Sequence, residues 1–269
     1  METVYSKVEI DFKLLNGIVL VPAVVNDEQG YLLFDTGAMK TGLHKKHFTD
    51  IQGKELEIAK FSGGMANDIA AEITIRRLSF SSVTLTDCDA MLMDLSYVEN
   101  SLMIFDPSLR LLGTMGIDII RNFTVLMDYG ETKIMLNPLR GFKKYTCIPL
   151  HMEALPVVEV EINGEQYSFV LDTGANTCLL ATALQDRFPV QPVDGAPNVF
   201  TISSVSLHNR PYSNIVSVFT DISAIQSKVS VDGVIGYHVL SPQRTYFDFV
   251  NQKLYLEEKC ASTKSLQLT

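Results

Sequence analysis

The chain has 269 residues, 46% of them apolar and 20% charged, with a formal charge of −9. That is an ordinary globular composition, long enough for one large domain or for two lobes of about 130 residues that each hold a core. The negative charge, with no basic cluster beyond Lys45-Lys46, Arg76-Arg77 or Lys143-Lys144, argues against a nucleic-acid partner, and no apolar run is long enough for a membrane span.

In chain order the first half reads as strands over Val8 to Leu14, Ile18 to Val25, Tyr31 to Phe34, Ile69 to Ile75, Val83 to Leu85, Phe123 to Asp128 and Lys133 to Leu136. They are rich in Val, Ile, Leu, Phe or Thr and are bounded by Gly, Asn or Asp. The second half repeats the order over Pro156 to Ile162, Tyr167 to Leu171, Val205 to His208, Ile215 to Phe219, Thr245 to Phe249 and Lys253 to Leu256. Short helices are expected near His44 to Phe48 and Ala181 to Arg187. Tyr97 to Asn100 either starts a helix or covers one end of a cleft. Leu139 to Tyr145 looks like a linker, which sets lobes at 1–140 and 141–269.

The strongest signal is a repeated tetrapeptide. Asp35-Thr36-Gly37-Ala38 and Asp172-Thr173-Gly174-Ala175 each follow an apolar run, and the aspartates stand 137 residues apart. Asn26 and Asn163 lie nine residues before their aspartates, in turn-rich segments that suit hairpins. Leu112-Gly113-Thr114-Met115-Gly116 answers Asp232-Gly233-Val234-Ile235-Gly236. Asp128 and Asp248 follow those glycine pairs by twelve residues, and a Lys-led strand closes each half. The spacing from motif aspartate to second glycine is 81 residues in the first half and 64 in the second. The first half therefore carries the extra chain.

Chemically, an apolar strand fixes where each aspartate emerges, and the glycine two residues on permits a tight turn and a close backbone approach. The threonine hydroxyl can bond across to a neighbouring chain, while alanine keeps the loop small. If the halves pack about a pseudo-twofold axis, Asp35 meets Asp172, Thr36 meets Thr173 and Gly37 meets Gly174. Two carboxyls in contact share one proton. One is then a general base for water, and the other donates to a carbonyl oxygen. Paired carboxylates also suit a metal, but the tetrapeptides supply no further ligand, with Asp118 and Asp128 the candidates if folded inward. No metal or other cofactor is expected.

The remaining side chains are quieter. Cys88, Cys147, Cys178 and Cys260 form no C-x-x-C pair and read as buried apolar groups. His44 and His47 have no third ligand at short spacing and, with His151, His208 and His238, read as surface residues. The start, Met-Glu-Thr-Val-Tyr-Ser-Lys, lacks a secretory-signal pattern, and both cytoplasmic and extracytoplasmic locations stay open.

In the two tetrapeptides and the apolar-Gly segments around Leu111-Leu112-Gly113 and Val234-Ile235-Gly236, the chain resembles the retropepsin-like aspartic peptidases. That group includes the retroviral proteases and, as two-lobed relatives, the pepsins. The resemblance covers nearly the whole chain. It implies an all-β fold of two acid-protease lobes related by a pseudo-twofold axis, with few short helices. It further implies an aspartic endopeptidase with Asp35 and Asp172 as catalytic dyad, Thr36 and Thr173 locking the loops, and Gly37, Ala38, Gly174 and Ala175 supporting them. The substrate would be an extended peptide or protein, and the chain a monomer that is its own pseudo-dimer. Phe61-Ser62-Gly63-Gly64-Met65 stands where the family carries a flap, although a plain surface hairpin fits equally. Val199 to Ser213 shows no comparable glycine tip, so one flap is expected rather than two. The alternatives are a peptide-binding protein of the same fold with little catalysis, and a dimer pairing its lobes in trans.

Overall fold

The computed structural model describes residues 7–51, 54–55, 69–138 and 144–257. The flap segment 61–65 and Cys260 lie outside them. The fold is all-β in two lobes, with short helices at Ser96–Met103, Ile117–Ile120, Ser223–Gln226 and Tyr237–Leu240.

An eight-stranded sheet forms from the first half, a ten-stranded sheet from the second, and a six-stranded sheet is shared. In each half a hairpin, Ile18–Val25 with Glu28–Phe34 or Pro156–Ile162 with Glu165–Leu171, leads straight into the motif aspartate. The left-handed turn residues are Asn26 in one and Asn163-Gly164 in the other. Buried apolar side chains line both hairpins, Val19, Leu20, Val21, Leu32 and Phe34 in the first and Val158, Val160, Phe169 and Leu171 in the second. At about 25 cal/mol per Å² of apolar surface, this burial is what holds each aspartate-bearing strand in place.

The pairing after the motif is also duplicated. Glu28–Phe34 runs parallel to Leu111–Met115, and Glu165–Leu171 runs parallel to Gly233–Ile235. Gly42–His44 and Cys178–Ala181 then pair antiparallel with those same strands. In the shared sheet Val125–Asp128 meets Thr245–Asp248, with Val125 opposite Phe247, Leu126 opposite Tyr246 and Met127 opposite Thr245. The outer pairs are equivalent by the duplication, so the pseudo-twofold passes through Leu126 and Tyr246.

Several expectations are corrected. The segment Val8 to Leu14 is two strands, Val8–Asp11 and Lys13–Leu15, joined at Phe12. Ile69–Phe80 and Val83–Met93 form one long hairpin, because partly exposed strands carry polar residues that hid their length. Of the linker expected over Leu139 to Tyr145, residues 139–143 lie outside the described residues, and Tyr145 opens an edge strand, Tyr145–Pro149, paired with Lys253–Glu257. The helices expected near residues 44–48 and 181–187 are single 3-10 turns, Lys45–His47 and Thr182–Leu184. Ser96–Met103 is a full helix, burying Val98 and Leu102 on a satellite core with Leu20, Leu33 and Leu111.

The second lobe also holds a hairpin with no clear signal in the sequence. Val190–Pro192 pairs with Val199–Ile202, turning through Gly195 at φ +75°. By strand order it is the counterpart of the first-half pairing of Lys54–Glu55 with Ile69–Phe80.

Candidate active site

The two tetrapeptides meet where the lobes join. Asp35 N–H donates to Met115 O at 3.0 Å and Asp172 N–H to Ile235 O at 2.9 Å, which closes each loop against its own glycine segment. From the far side, Ile117 N–H donates to Ala38 O at 2.7 Å and Tyr237 N–H to Ala175 O at 2.9 Å. Each motif is thus clamped at both ends by backbone.

The threonines hold the loops to each other. Thr36 N–H donates to Thr173 Oγ1 at 3.1 Å, and Thr173 N–H donates to Thr36 Oγ1 at 3.0 Å. Each hydroxyl in turn donates across the lobes at 2.7 Å, Thr36 to Leu171 O and Thr173 to Phe34 O. Both side chains are buried. The glycines are needed for proximity: a Cβ on Gly37 would sit 2.3 Å from Asp172 Cγ, and one on Gly174 would sit 2.7 Å from Asp35 Cγ.

Backbone donors orient the carboxyls. Gly37 and Ala38 N–H reach Asp35 Oδ1 at 2.8 and 2.9 Å, and Gly174 N–H reaches Asp172 Oδ1 at 2.7 Å. The two carboxyls lie against the opposite motif's glycine, close enough to act on each other electrostatically. Both residues are half-buried at the lobe junction. Burial, then the Asp172 carboxyl, raise Asp35 well above the ordinary carboxyl value. Asp172 is also raised, by burial, with the Asp35 carboxyl and the N–H groups of Gly174, Gly37 and Ala175 opposing the rise. The pair therefore titrates as a unit that shares one proton.

Neither outlying aspartate joins this pair. Asp118 accepts Thr41 N–H at 3.0 Å and Thr41 Oγ1 at 2.8 Å, fixing the chain after the first motif. Asp128 accepts Glu131 N–H and the Arg244 Nε of the other lobe, at 3.0 and 2.6 Å.

His44 and His47 are not surface residues, and a third group does stand beside them. His44 is fully buried, and with His47 and Glu99 its ligand-type atoms lie within 4.8 Å of one another. Strand Gly42–His44 is walled by Met91–Met93 and Gly113–Thr114, pairings far apart in sequence. Leu95 N–H donates to His44 Nδ1 at 3.1 Å, so that nitrogen's lone pair is used and Nε2 carries the proton. An Nε2–H cannot ligate an ion, and Lys46 Nζ already holds Glu99 at 2.6 Å. His47 Nε2 at 2.9 Å and Leu111 N–H at 3.1 Å complete a ring of donors around this carboxylate. Burial alone would raise Glu99, but Lys46, His47 and Leu111 outweigh it and hold the carboxyl at about 2. Of the cysteines, Cys178 is buried, Cys88 half-buried and Cys147 exposed, so the expectation of a uniformly buried set fails.

This is the fold of the aspartic peptidases. Residues 158–239, which include Asp172–Ala175 and Gly233–Gly236, match the family described as aspartyl protease. The whole chain is similar in structure to the aspartic proteinase from Irpex lacteus, at 11% identity and a TM-score of 0.57, over 94% of this chain and 97% of that one. No curated protein matches the sequence.

Proposed function

We propose that the chain is an aspartic endopeptidase in which residues 1–140 and 141–269 form two lobes that each give one aspartate to a single site. The observation that carries this reading is the face-to-face setting of the two tetrapeptides, locked by reciprocal threonine bonds, with each carboxyl backed by the opposite lobe's glycine. With one carboxyl of the pair charged and the other protonated, water bound between them gives a proton to the charged member as its oxygen bonds to the scissile carbonyl carbon. The protonated member gives its proton to the carbonyl oxygen, forming a gem-diol with no net change of charge. Collapse of that intermediate, with a proton passed to the amine, breaks the C–N bond. An extended peptide is the fitting substrate, because a strand-like segment leaves its amide accessible to a dyad set between two lobes.

Asp35→Asn and Asp172→Asn test the reading. Each variant should keep its far-ultraviolet spectrum and lose cleavage of an unfolded protein substrate. Cleavage retained by both overturns it, and peptide binding without cleavage by the unmodified chain favours the binding-protein alternative.

A further inference from the structure

The two-residue turn Asn16-Gly17 joins strands Lys13–Leu15 and Ile18–Val25, with Asn16 at φ 48° and Gly17 at φ 78°. Both angles are left-handed, the twist that a tight hairpin between paired strands demands. The turn belongs to the first half of the chain but rests on the second motif. Asn176, the residue after Asp172-Thr173-Gly174-Ala175, donates from Nδ2 to Asn16 O at 3.1 Å. Gly17 faces the same residue: an added Cβ would stand 3.1 Å from Asn176 Cβ and 3.0 Å from Tyr237 Cγ. Tyr237 in turn clamps the motif by donating its N–H to Ala175 O.

The pseudo-twofold that exchanges Asp35 with Asp172 has no such contact on its other side. It carries Asn16-Gly17 onto Glu153-Ala154 and Asn176 onto Met39. Glu153 and Ala154 are exposed, and Met39 packs its apolar side chain on the core. A thioether cannot donate the bond that Asn176 makes.

The first motif is steadied differently. Asp118 accepts Thr41 N–H and Thr41 Oγ1, and that hydroxyl accepts Gly116 N–H at 3.1 Å. The chain leaving Ala38 is thereby tied to the glycine segment of its own lobe. The axis carries Thr41 onto Cys178, a buried thiol, and Asp118 onto His238, a half-buried imidazole. Neither supplies the carboxylate or the hydroxyl of that lock. Beyond the threonine bonds and the backbone clamps, the first motif is held from within its lobe and the second from across the junction.

We propose that Asn176 is a positioning residue for Asp172, its amide and the Asn16-Gly17 turn supplying from the opposite lobe the restraint that Asp118 supplies within the first. The second carboxyl is then fully placed only when the lobes are closed on each other. The inference rests on the peptidase reading for its kinetic consequence alone.

Two variants test it. Asn176→Ala removes the donor at a half-buried position, and Gly17→Ala pushes the turn away from Tyr237. Hydrogen exchange followed by NMR compares the Gly174 and Ala175 amides with those of Gly37 and Ala38. Both variants should speed exchange at Gly174 and Ala175 roughly three- to tenfold, the scale of one lost hydrogen bond, and leave Gly37 and Ala38 unchanged. Cleavage of an unfolded protein substrate should lose about tenfold in kcat with KM within about twofold, because the dyad is displaced while the substrate's grip is kept. Glu153→Ala, at the exposed counterpart, should match the unmodified chain in both measurements. Unchanged exchange at Gly174 and Ala175 in Asn176→Ala overturns the proposal. Equal acceleration at both motifs also overturns it, since the turn would then be a general support of the fold, and so does a loss carried by KM with kcat kept. The exchange measurement needs no cleavage. A chain that loosens on one side but cleaves nothing would sink the peptidase reading and leave the tether standing.

Discussion

Thr36 and Thr173 are bonded reciprocally, each hydroxyl accepting the other's backbone N–H and donating to the carbonyl just before the opposing aspartate. The four bonds are buried, so removing one hydroxyl strands an N–H and a carbonyl at the lobe junction. Thr173→Val keeps the shape and removes only the polar atom. It should cost about 2–4 kcal/mol, on the scale of two unsatisfied buried groups. Urea unfolding measures this, and a loss below about 0.5 kcal/mol would mean the lobes are held elsewhere.

Gly37 has no room for a methyl group, whose carbon would lie 2.3 Å from both Cγ and Oδ2 of Asp172. Gly37→Ala must push that carboxyl aside, and a displacement near 1 Å is expected to lower kcat/KM about a hundredfold or more. Gly164 supplies the contrast, at φ +85° with no atom within 4 Å of where an added methyl would stand. Gly164→Ala should cost about 1 kcal/mol of stability from backbone strain and leave turnover intact. Equal kinetic losses in the two variants would remove the steric explanation.

The raised pKa of Asp35 makes a prediction about stability with a definite sign. The folded state holds this proton more tightly than the unfolded chain, whose carboxyl titrates near the ordinary 3.8. The stabilising contribution is complete below that value and is lost as pH rises through the raised folded value. Asp35→Asn carries no charge and should therefore melt higher than the unmodified chain at neutral pH, with the gap closing toward pH 4. Thermal melts across that range decide the matter, and a variant less stable at neutral pH contradicts it.

Glu99 behaves in the opposite sense. Held at about 2 against an ordinary 4.5, it stabilises the fold above the ordinary value, and the contribution is lost as pH falls through the folded value. Glu99→Gln leaves Lys46 and the histidines without their anion and should cost roughly 3 kcal/mol at neutral pH. Denaturant curves at pH 7 and pH 3 should show the penalty shrinking in acid. A pH-independent penalty would assign the loss to packing alone.

What the sequence revealed divides along the range of the interactions. Asp-Thr-Gly-Ala was readable because a turn, a hydroxyl and a missing Cβ are demands written within four residues, and duplication placed the copies face to face. The all-β class and the hairpins before each motif followed from apolar runs and their Asn turns. The burial of His44 was invisible, since its walls come from Met91–Met93 and Gly113–Thr114. The hairpin at Val190–Pro192 begins before Val199, where a second flap would be sought, and its tip carries one glycine rather than a pair.

The central register of the shared sheet has one more consequence. Each half brings three strands to it, and the two innermost, Val125–Asp128 and Thr245–Asp248, present equivalent edges to each other. An open edge of that kind is a template for recruiting another chain. Tethering the halves keeps the matching edge at an effective concentration on the order of millimolar. The linkage thus satisfies within one molecule a docking preference that each half on its own would direct at its neighbours.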